Sequence, residues 1–199
     1  MGTVCFFMGN VLIFQKNTKA QKMNNKKQAR FYMGYFYALD NFSAFQVTVG
    51  KSNVLNCSPG CVFSTAEHFY QWAKFFDPDT LEDINHHEIR DSILKASSAH
   101  EAKEIASKNR DARRKDWDSV KINLMEEVLL AKFKQHSYVR RTIARSFGRE
   151  IVGDSPEDGS WGIAWKFGSE GQNYLGRIWM DIRDREEFQL REEFPEEFV

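Results

Sequence analysis

The segment Ser64–Phe76, which reads STAEHFYQWAKFF, constrains the fold more than any other part of the chain. Ser64 followed three residues later by Glu67 is the pattern of a capping box, so the sequence predicts a helix whose N-cap is Ser64. At 3.6 residues per turn, apolar side chains fall on one side of this helix. They are Phe69, Trp72, Ala73 and Phe76. Such an aromatic face must be covered by other elements, so we expect it to lie in the hydrophobic core.

The opposite face of the same helix carries polar side chains. Glu67, Gln71 and Lys74 fall nearly in line, at positions i, i+4 and i+7. One interpretation is a surface in which Glu67 only caps the helix and Lys74 is hydrated. The other is a catalytic face, because a carboxylate and an amine that share a neighbouring glutamine suit acid–base chemistry. The spacing alone does not decide between these interpretations.

Helical signals dominate the rest of the chain. Apolar spacing and N-cap patterns predict further helices, and runs of aromatic and β-branched residues predict strands. The predicted helices are 81–96, 98–108, 116–136, 137–148 and one from about Tyr174 into the sequence REEF. The predicted strands are 4–14, one or two within 30–50, 150–152 and 163–167. We therefore expect an α+β fold: a single mostly helical domain over residues 1–199 with a small β-sheet formed by its two ends.

Charge and cysteine content narrow the functional classes. Lys plus Arg and Asp plus Glu number 28 each, so no net field selects nucleic acid or a membrane. A Lys-rich insert at about residues 15–30 is either a hydrated loop or a weak phosphate-steering element.

Three cysteines fit a reducing compartment, and the apolar stretch 4–14 is too short to span a bilayer. We expect a cytoplasmic protein, or a nuclear one in a eukaryote, without membrane contact.

No metal site or cofactor is expected. His68 has no histidine partner one turn later, and the consecutive His86 and His87 point in different directions on a helix. The sequence has no zinc-ligand spacing, Gly-rich phosphate loop or dinucleotide fingerprint.

Six separated stretches, in the same order along the chain, resemble the NADAR (YbiA-like) family. They are ALDNFSAF (38–45), STAEHFYQWAKFF (64–76), AHEAKEIASKNR (99–110), RRKDWDSVKINLMEEVLLAKF (113–133), SPEDGSWGIAW (155–165) and GQNYLGRIWMDIR (171–183). The Lys-rich insert departs from the family pattern, as does LDNFSAF, where the family more often has Ser-Asn-Phe and a proline.

The resemblance implies a compact, largely helical N-glycosidase that cuts the bond between a ribose anomeric carbon and an amino nitrogen. One implied substrate is ADP-ribosylated guanine in nucleic acid, and the other is a ribosylamino-pyrimidine phosphate of the riboflavin pathway. A non-catalytic ADP-ribose reader is a third interpretation. We expect a cofactor-free monomer whose partner is ADP-ribosylated nucleic acid or an ADP-ribose-like small molecule.

This chemistry assigns roles to three predicted catalytic residues. Glu67 is the carboxylate near the anomeric carbon, where an oxocarbenium-like centre develops. Lys74 is either an amine that takes over a ring-opened sugar as an imine, or a cation that binds phosphate or pairs with Glu67. Asp158 is either a second carboxylate of the site or the organiser of its own turn.

The matching stretches and the element edges also predict substrate contacts. Two tryptophans are expected to stack on a base, and the start of the last helix is expected to favour phosphate. The predicted substrate-binding residues are Asn41, Phe42, His68, Gln71, Trp117, Trp161, Gly162, Asn173 and Gly176.

Overall fold

The computed structural model describes residues 28–52, 54–55, 60–76, 84–167 and 171–198. The described strands are β1 (Gln28–Arg30), β2 (Val47–Thr48), β3 (Val62–Phe63) and β4 (Glu150–Val152). The described helices are α1 (Ala66–Ala73), α2 (Ile84–Lys95), α3 (Ala99–Lys108), α4 (Trp117–Gln135), α5 (Ser137–Ala144), α6 (Tyr174–Arg185) and α7 (Glu187–Glu193). Short 3-10 helices cover Tyr37–Leu39, Arg110–Ala112, Trp165–Phe167 and Pro195–Phe198. The fold is α+β and mostly helical, as the sequence predicts.

The strands form two separate pairs. β1 pairs in parallel with β4, with Gln28 opposite Glu150 and Arg30 opposite Val152. A parallel pair needs a long crossover, and α1 to α5 lie within this one. β2 and β3 pair antiparallel. The predicted strand at 4–14 and residues 15–27 of the Lys-rich insert lie outside the described residues.

Helix α1 lies at the centre of the packing. All eight of its residues are buried, and it contacts α2, α3 and α4. The rings of Phe63 and Phe69 meet edge to face at a centroid distance of 5.2 Å, and Phe63 meets Trp72 at 5.5 Å. Such pairs contribute about 0.5–1.5 kcal/mol each beyond the area that they bury. The prediction that the aromatic face belongs to the core is confirmed.

The predicted strand at 163–167 is wrong. The Ile163 amide donates to the Gly153 carbonyl, its own carbonyl accepts from Gly171, and Ala164 has a positive φ of 45°. Hydrogen bonds to two different loops replace strand pairing here, and the segment ends in a 3-10 helix.

The predicted last helix is two helices. Glu186, with φ −101° and ψ 13°, leaves helical geometry between α6 and α7. The change of direction brings Glu193 to Arg140 of α5, where the guanidinium nitrogen and carboxylate oxygen lie 2.7 Å apart. α5 itself ends at Ala144, before the predicted end at Gly148.

Candidate active site

A cavity of about 900 Å³ opens beside α1. Glu67, Gln71 and Lys74 line it together, with Met125 of α4. Its remaining walls come from residues 31–42, from α3, from the loop 153–162 and from Leu175 of α6. The polar face of α1 is therefore neither buried in the core nor an open surface, but the wall of a cavity of ligand size.

The Glu67 carboxylate is desolvated. Its residue is 5% exposed, and Oε1 accepts a hydrogen bond of 2.6 Å from Gln71 Nε2. Burial raises the pKa of Glu67, while the Gln71 hydrogen bond and the charges of Lys103 and Lys74 oppose that rise. A carboxyl group with a raised pKa can both donate and accept a proton closer to neutral pH than an exposed one.

The predicted capping box is displaced by one residue. The N-cap of α1 is Thr65, whose Oγ1 accepts from the His68 backbone amide at 3.2 Å. The prediction that Glu67 caps the helix from Ser64 is wrong, because His68 occupies the third helical position. Glu67 Oε1 instead binds Gln71, and its backbone amide donates to the Asn41 carbonyl.

His68 acts in the framework rather than in the cavity wall. It is 1% exposed, its Nδ1 lies 2.8 Å from Thr65 Oγ1 and its Nε2 lies 3.2 Å from the Ala96 carbonyl oxygen. These contacts connect the start of α1 to the end of α2. The geometry therefore gives no support to substrate binding by His68.

Lys74 directly follows α1, at the C-terminal end of the polar face. Its Nζ lies 5.2 Å from the centroid of the Tyr70 ring and 5.5 Å from that of Trp117. Among the described residues, no carboxylate lies within ion-pair distance of it. Burial lowers its pKa to about 8, with Glu67 opposing and Arg113 and Lys103 adding to the decrease. About half of the amine is therefore neutral, and nucleophilic, near pH 8.

Tyr70 joins the site although sequence reasoning missed it. It lines the cavity, and its ring packs against Trp161 at a centroid distance of 5.4 Å. Burial raises its pKa, so the phenol stays protonated. The residue lies three positions after Glu67 and four before Lys74, so helical spacing alone could have placed it on this face.

The two tryptophans differ in position. Trp161 lines the cavity. Trp117 is 3% exposed and lies against Tyr70, with centroids 4.9 Å apart. This burial gives no support to the expectation that Trp117 stacks on a base, which stays a prediction.

Asp158 organises the loop that carries Trp161 and Gly162. Its Oδ1 accepts from the amides of Ser160 at 2.9 Å and Trp161 at 2.8 Å. This favours the turn-organising interpretation, although the residue also lines the cavity. Gly162 permits close packing, because a Cβ there would collide with the Gly153 carbonyl oxygen.

Two buried amide oxygens in the cavity wall lack protein partners. Asn41 Oδ1 and Gln71 Oε1 find none among the described residues. A buried acceptor without a partner costs about 1–3 kcal/mol, so both atoms are suited to accept hydrogen bonds from a ligand. Phe42 lines the cavity beside Asn41.

A buried lysine that sequence reasoning missed fixes this segment. Lys132 of α4 is fully buried, and its Nζ donates to the Asp40 carbonyl at 2.8 Å and to Ser43 Oγ at 2.7 Å. Burial lowers its pKa to about 7. Asn41 and Phe42 lie between these two anchors, so Lys132 positions both of them.

Asn173 and Gly176 belong to the junction of α6 and β4. Asn173, at a φ of 50°, accepts from the Gly153 amide and donates to the Ile151 carbonyl, each at 2.9 Å. A Cβ on Gly176 would fall on that same carbonyl oxygen. Neither residue lines the cavity, so the geometry supports packing rather than the predicted substrate contacts.

Gly176→Ala is expected to lower the free energy of unfolding by about 1–3 kcal/mol, because the added methyl overpacks the contact between α6 and β4. Urea unfolding followed by circular dichroism measures this change. Gly50→Ala is the matched control, since nothing lies within 4 Å of a Cβ there. Equal stabilities for the two variants would contradict the proposed close contact.

Metal and membrane features are not found in the part of the chain that the structure describes. No three His, Cys, Asp or Glu side chains there come together as a metal site. None of the described helices is long and apolar enough to cross a bilayer.

The cavity therefore combines a desolvated carboxylate, an amine of lowered pKa and unpartnered amide oxygens, which suits hydrolysis through acid–base or amine chemistry. The sequence profile of the NADAR domain matches residues 30–186. The chain belongs to the NADAR domain family.

Similar proteins carry related names. The N-glycosidase YbiA of Escherichia coli K12 is 28% identical over 145 residues, which cover 73% of this chain and 78% of that protein. Its NMR structure matches with a TM-score of 0.65 at 26% identity, covering 82% of this chain and 86% of that one. The chloroplastic riboflavin biosynthesis protein PYRR of Zea mays is 31% identical over 74% of this chain but only 23% of its own length. These relationships support a hydrolase with N-glycosidase activity.

Proposed function

We propose that this protein is an N-glycosidase that removes ADP-ribose from guanine bases in nucleic acid. The observation that carries the proposal is the pairing of a desolvated carboxyl group, Glu67, with a partly neutral amine, Lys74, on one wall of a 900 Å³ cavity. The bond to be cut joins the ribose C1 to the exocyclic amino nitrogen of guanine.

The reaction begins with proton transfer from the Glu67 carboxyl group to the ribose ring oxygen. The ring C1–O bond breaks, and a protonated imine forms between C1 and the guanine nitrogen. The neutral Lys74 amine adds to C1, and a proton moves from this nitrogen to the guanine nitrogen through the Glu67 carboxylate. Guanine leaves as the free amine, which leaves an imine between Lys74 and the sugar. That imine is protonated; water adds to it, the proton returns to the Glu67 carboxylate, and the sugar aldehyde and the neutral lysine amine are released.

Exposed tyrosines that line the cavity favour a large substrate. Tyr32, Met33 and Tyr37 line the cavity mouth and are 42%, 76% and 42% exposed. Exposed aromatic side chains at a cavity mouth are suited to stacking on a nucleobase, at about 1–3 kcal/mol per base. Stacking of a nucleobase on these residues would favour a substrate that extends beyond one sugar and one pyrimidine.

A second candidate substrate is a ribosylamino-pyrimidine phosphate. It is favoured by relatives named as riboflavin biosynthesis proteins, in Zea mays and in Vibrio vulnificus. The bond and the proposed roles of Glu67 and Lys74 would be the same. A non-catalytic ADP-ribose reader is less favoured, because binding alone does not need a carboxylate and an amine that are both costly to desolvate.

Incubation with an oligonucleotide that carries ADP-ribose on one guanine is expected to release free ADP-ribose and restore the unmodified guanine. Mass spectrometry measures both products, with the substrate in stoichiometric excess so that turnover is distinguished from binding. A ribosylamino-pyrimidine 5′-phosphate serves as the parallel substrate. Release of its sugar without any release of ADP-ribose would overturn the proposed substrate in favour of the second candidate.

A further inference from the structure

A second, more open hollow adjoins the cavity along α3. Lys103 and His100 line both the main cavity and this adjoining space of about 460 Å³. Glu104, Ser107 and Lys108 complete the second lining. Lys108 lies five positions after Lys103 on α3, about 7.5 Å along the helix axis. The accessible space is therefore longer than the part that surrounds Glu67.

The ammonium group of Lys103 lies at the main cavity. Its Nζ lies 5.7 Å from the centroid of the Phe42 ring, and Phe42 in turn meets the His100 ring at 4.8 Å. Burial raises the pKa of both Glu67 and Asp40, which lie on two different walls, and the charge of Lys103 opposes each rise. The ammonium group is thus near the reacting region although Lys103 belongs to an exposed helix face.

Lys103 has no ionic partner among the described residues. Other cations at or beside the cavity differ in this respect. Arg30 lies 2.6 Å from Asp154, and Lys166 lies 2.8 Å from Glu157. Lys74 has a chemical role in the proposed reaction. Of the two described lysines that line the main cavity, Lys103 is therefore the one that remains available to bind an anionic group of the substrate.

Apart from Glu67 of α1, the acidic side chains that line the main cavity belong to loops, while Glu104 of α3 lines the second hollow. Asp154, Glu157 and Asp158 belong to the loop 153–162, and Asp40 precedes the Asn41 segment. A phosphate placed against these carboxylates would be repelled. The Arg30–Asp154 and Lys166–Glu157 pairs weaken the repulsion from that loop, so the attraction of the unpaired Lys103 ammonium is the main reason to place a phosphate beside Lys103 and His100.

We propose that Lys103, together with His100, forms a phosphate-recognition site that holds the 5′-phosphate of the ribose whose C1 is attacked. The inference rests on the proposed function and adds a specificity-determining residue to it. The ligand chemistry is a phosphate ester on ribose, supplied either by the diphosphate of ADP-ribose or by the monophosphate of a ribosylamino-pyrimidine. The hollow beyond Lys103 accommodates the groups attached to that first phosphate.

Binding of three probes to the full-length protein tests this site. The probes are ADP-ribose, ribose 5-phosphate and ribose, with calorimetry for the first two and ligand-observed NMR for ribose. Lys103→Gln is expected to weaken binding of both phosphorylated probes by roughly ten- to hundredfold, the size of one charge-assisted hydrogen bond, and to leave ribose unchanged. Lys103→Arg should restore most of the affinity. Lys134→Gln, at an exposed position at the end of α4, is the matched control and should bind as the wild type does.

Kinetics distinguish recognition from a structural effect. With a cleaved phosphorylated substrate, measured well above the Lys74 pKa of about 8 so that loss of the Lys103 charge does not change the protonation of Lys74, Lys103→Gln should raise KM by a similar factor and change kcat little. Undiminished binding of both phosphorylated probes by Lys103→Gln, or an equal loss for ribose, would overturn the proposal. A loss for ADP-ribose alone would also overturn it, since the contact would then be to a later phosphate.

Failure of this inference is separable from failure of the proposed function. Lys103-dependent binding of ribose 5-phosphate without cleavage of either substrate would retain the phosphate site and reject the glycosidase. Cleavage with normal KM in Lys103→Gln would retain the glycosidase and reject the phosphate site.

Discussion

Glu67→Gln is expected to lower kcat/KM for sugar release by about 10²–10⁴-fold, the range associated with loss of a general acid or base. Glutamine has nearly the same shape and can still accept the hydrogen bond from Gln71 Nε2 through its amide oxygen. It cannot give a proton to the ribose ring oxygen or transfer one between the two amines. The loss therefore reports proton transfer rather than a change in shape.

The same substitution should not destabilise the fold. Burial raises the folded-state pKa of Glu67 above its unfolded value, so the protonated form favours folding. That stabilisation is present below the unfolded pKa and is lost as pH rises through the folded pKa. Glutamine is neutral at every pH, so Glu67→Gln should be at least as stable as the wild type at pH 7.

Steady-state kinetics together with thermal unfolding measure both effects. Glu88→Gln, at an exposed position on α2, is the matched control and should retain full activity. Activity of Glu67→Gln within a few-fold of wild type, in a folded protein, would remove Glu67 from the proposed chemistry.

Lys74→Arg is the second substitution with a large expected effect, a loss of about 10³-fold or more in kcat. Arginine keeps the positive charge but stays protonated and cannot form an imine with the sugar. If Lys74 only bound phosphate or paired with Glu67, arginine would retain most of the activity. The variant therefore distinguishes the two roles that the sequence leaves open for this residue.

Borohydride added during turnover should trap a sugar adduct on Lys74, which peptide mass spectrometry locates. Lys134→Arg is the control and should show the same adduct as the wild type. The Lys74 pKa of about 8 gives the expected pH dependence. The neutral amine is the active form, so this arm of the kcat/KM profile should rise with pH and level off above about 8. Normal turnover without any trapped adduct would exclude the imine and leave direct hydrolysis assisted by Glu67.

Local patterns were sufficient to predict the face of α1. Relative spacing along a helix does not depend on where the helix begins, so the displaced N-cap did not affect the alignment of Glu67, Gln71 and Lys74. Adjacent Ser64 and Thr65 are both good N-cap residues, which is why the capping box could be misplaced by one position. The helix itself was predictable, but its first residue was not.

The other walls of the cavity depend on contacts between distant parts of the chain. Lys103 lies 36 residues after Glu67, and no local pattern indicates that its ammonium reaches the same space. The burial of Lys132 is equally non-local, because its partners, Asp40 and Ser43, precede it by about ninety residues. The edge position of Trp117 suggested access to a ligand, but packing against Tyr70 determined its environment.

The complete burial of α1 also limits which amino-acid substitutions this protein can tolerate. Each of its eight positions faces either the core or the cavity, so the helix has no solvent-facing site at which a replacement would be neutral. A substitution in Ala66–Ala73 changes folding or catalysis. Substitutions that change substrate preference are therefore better tolerated in residues 31–42, on the exposed side of α3 and in the loop 153–162. These segments surround a helix whose own sequence is tightly constrained.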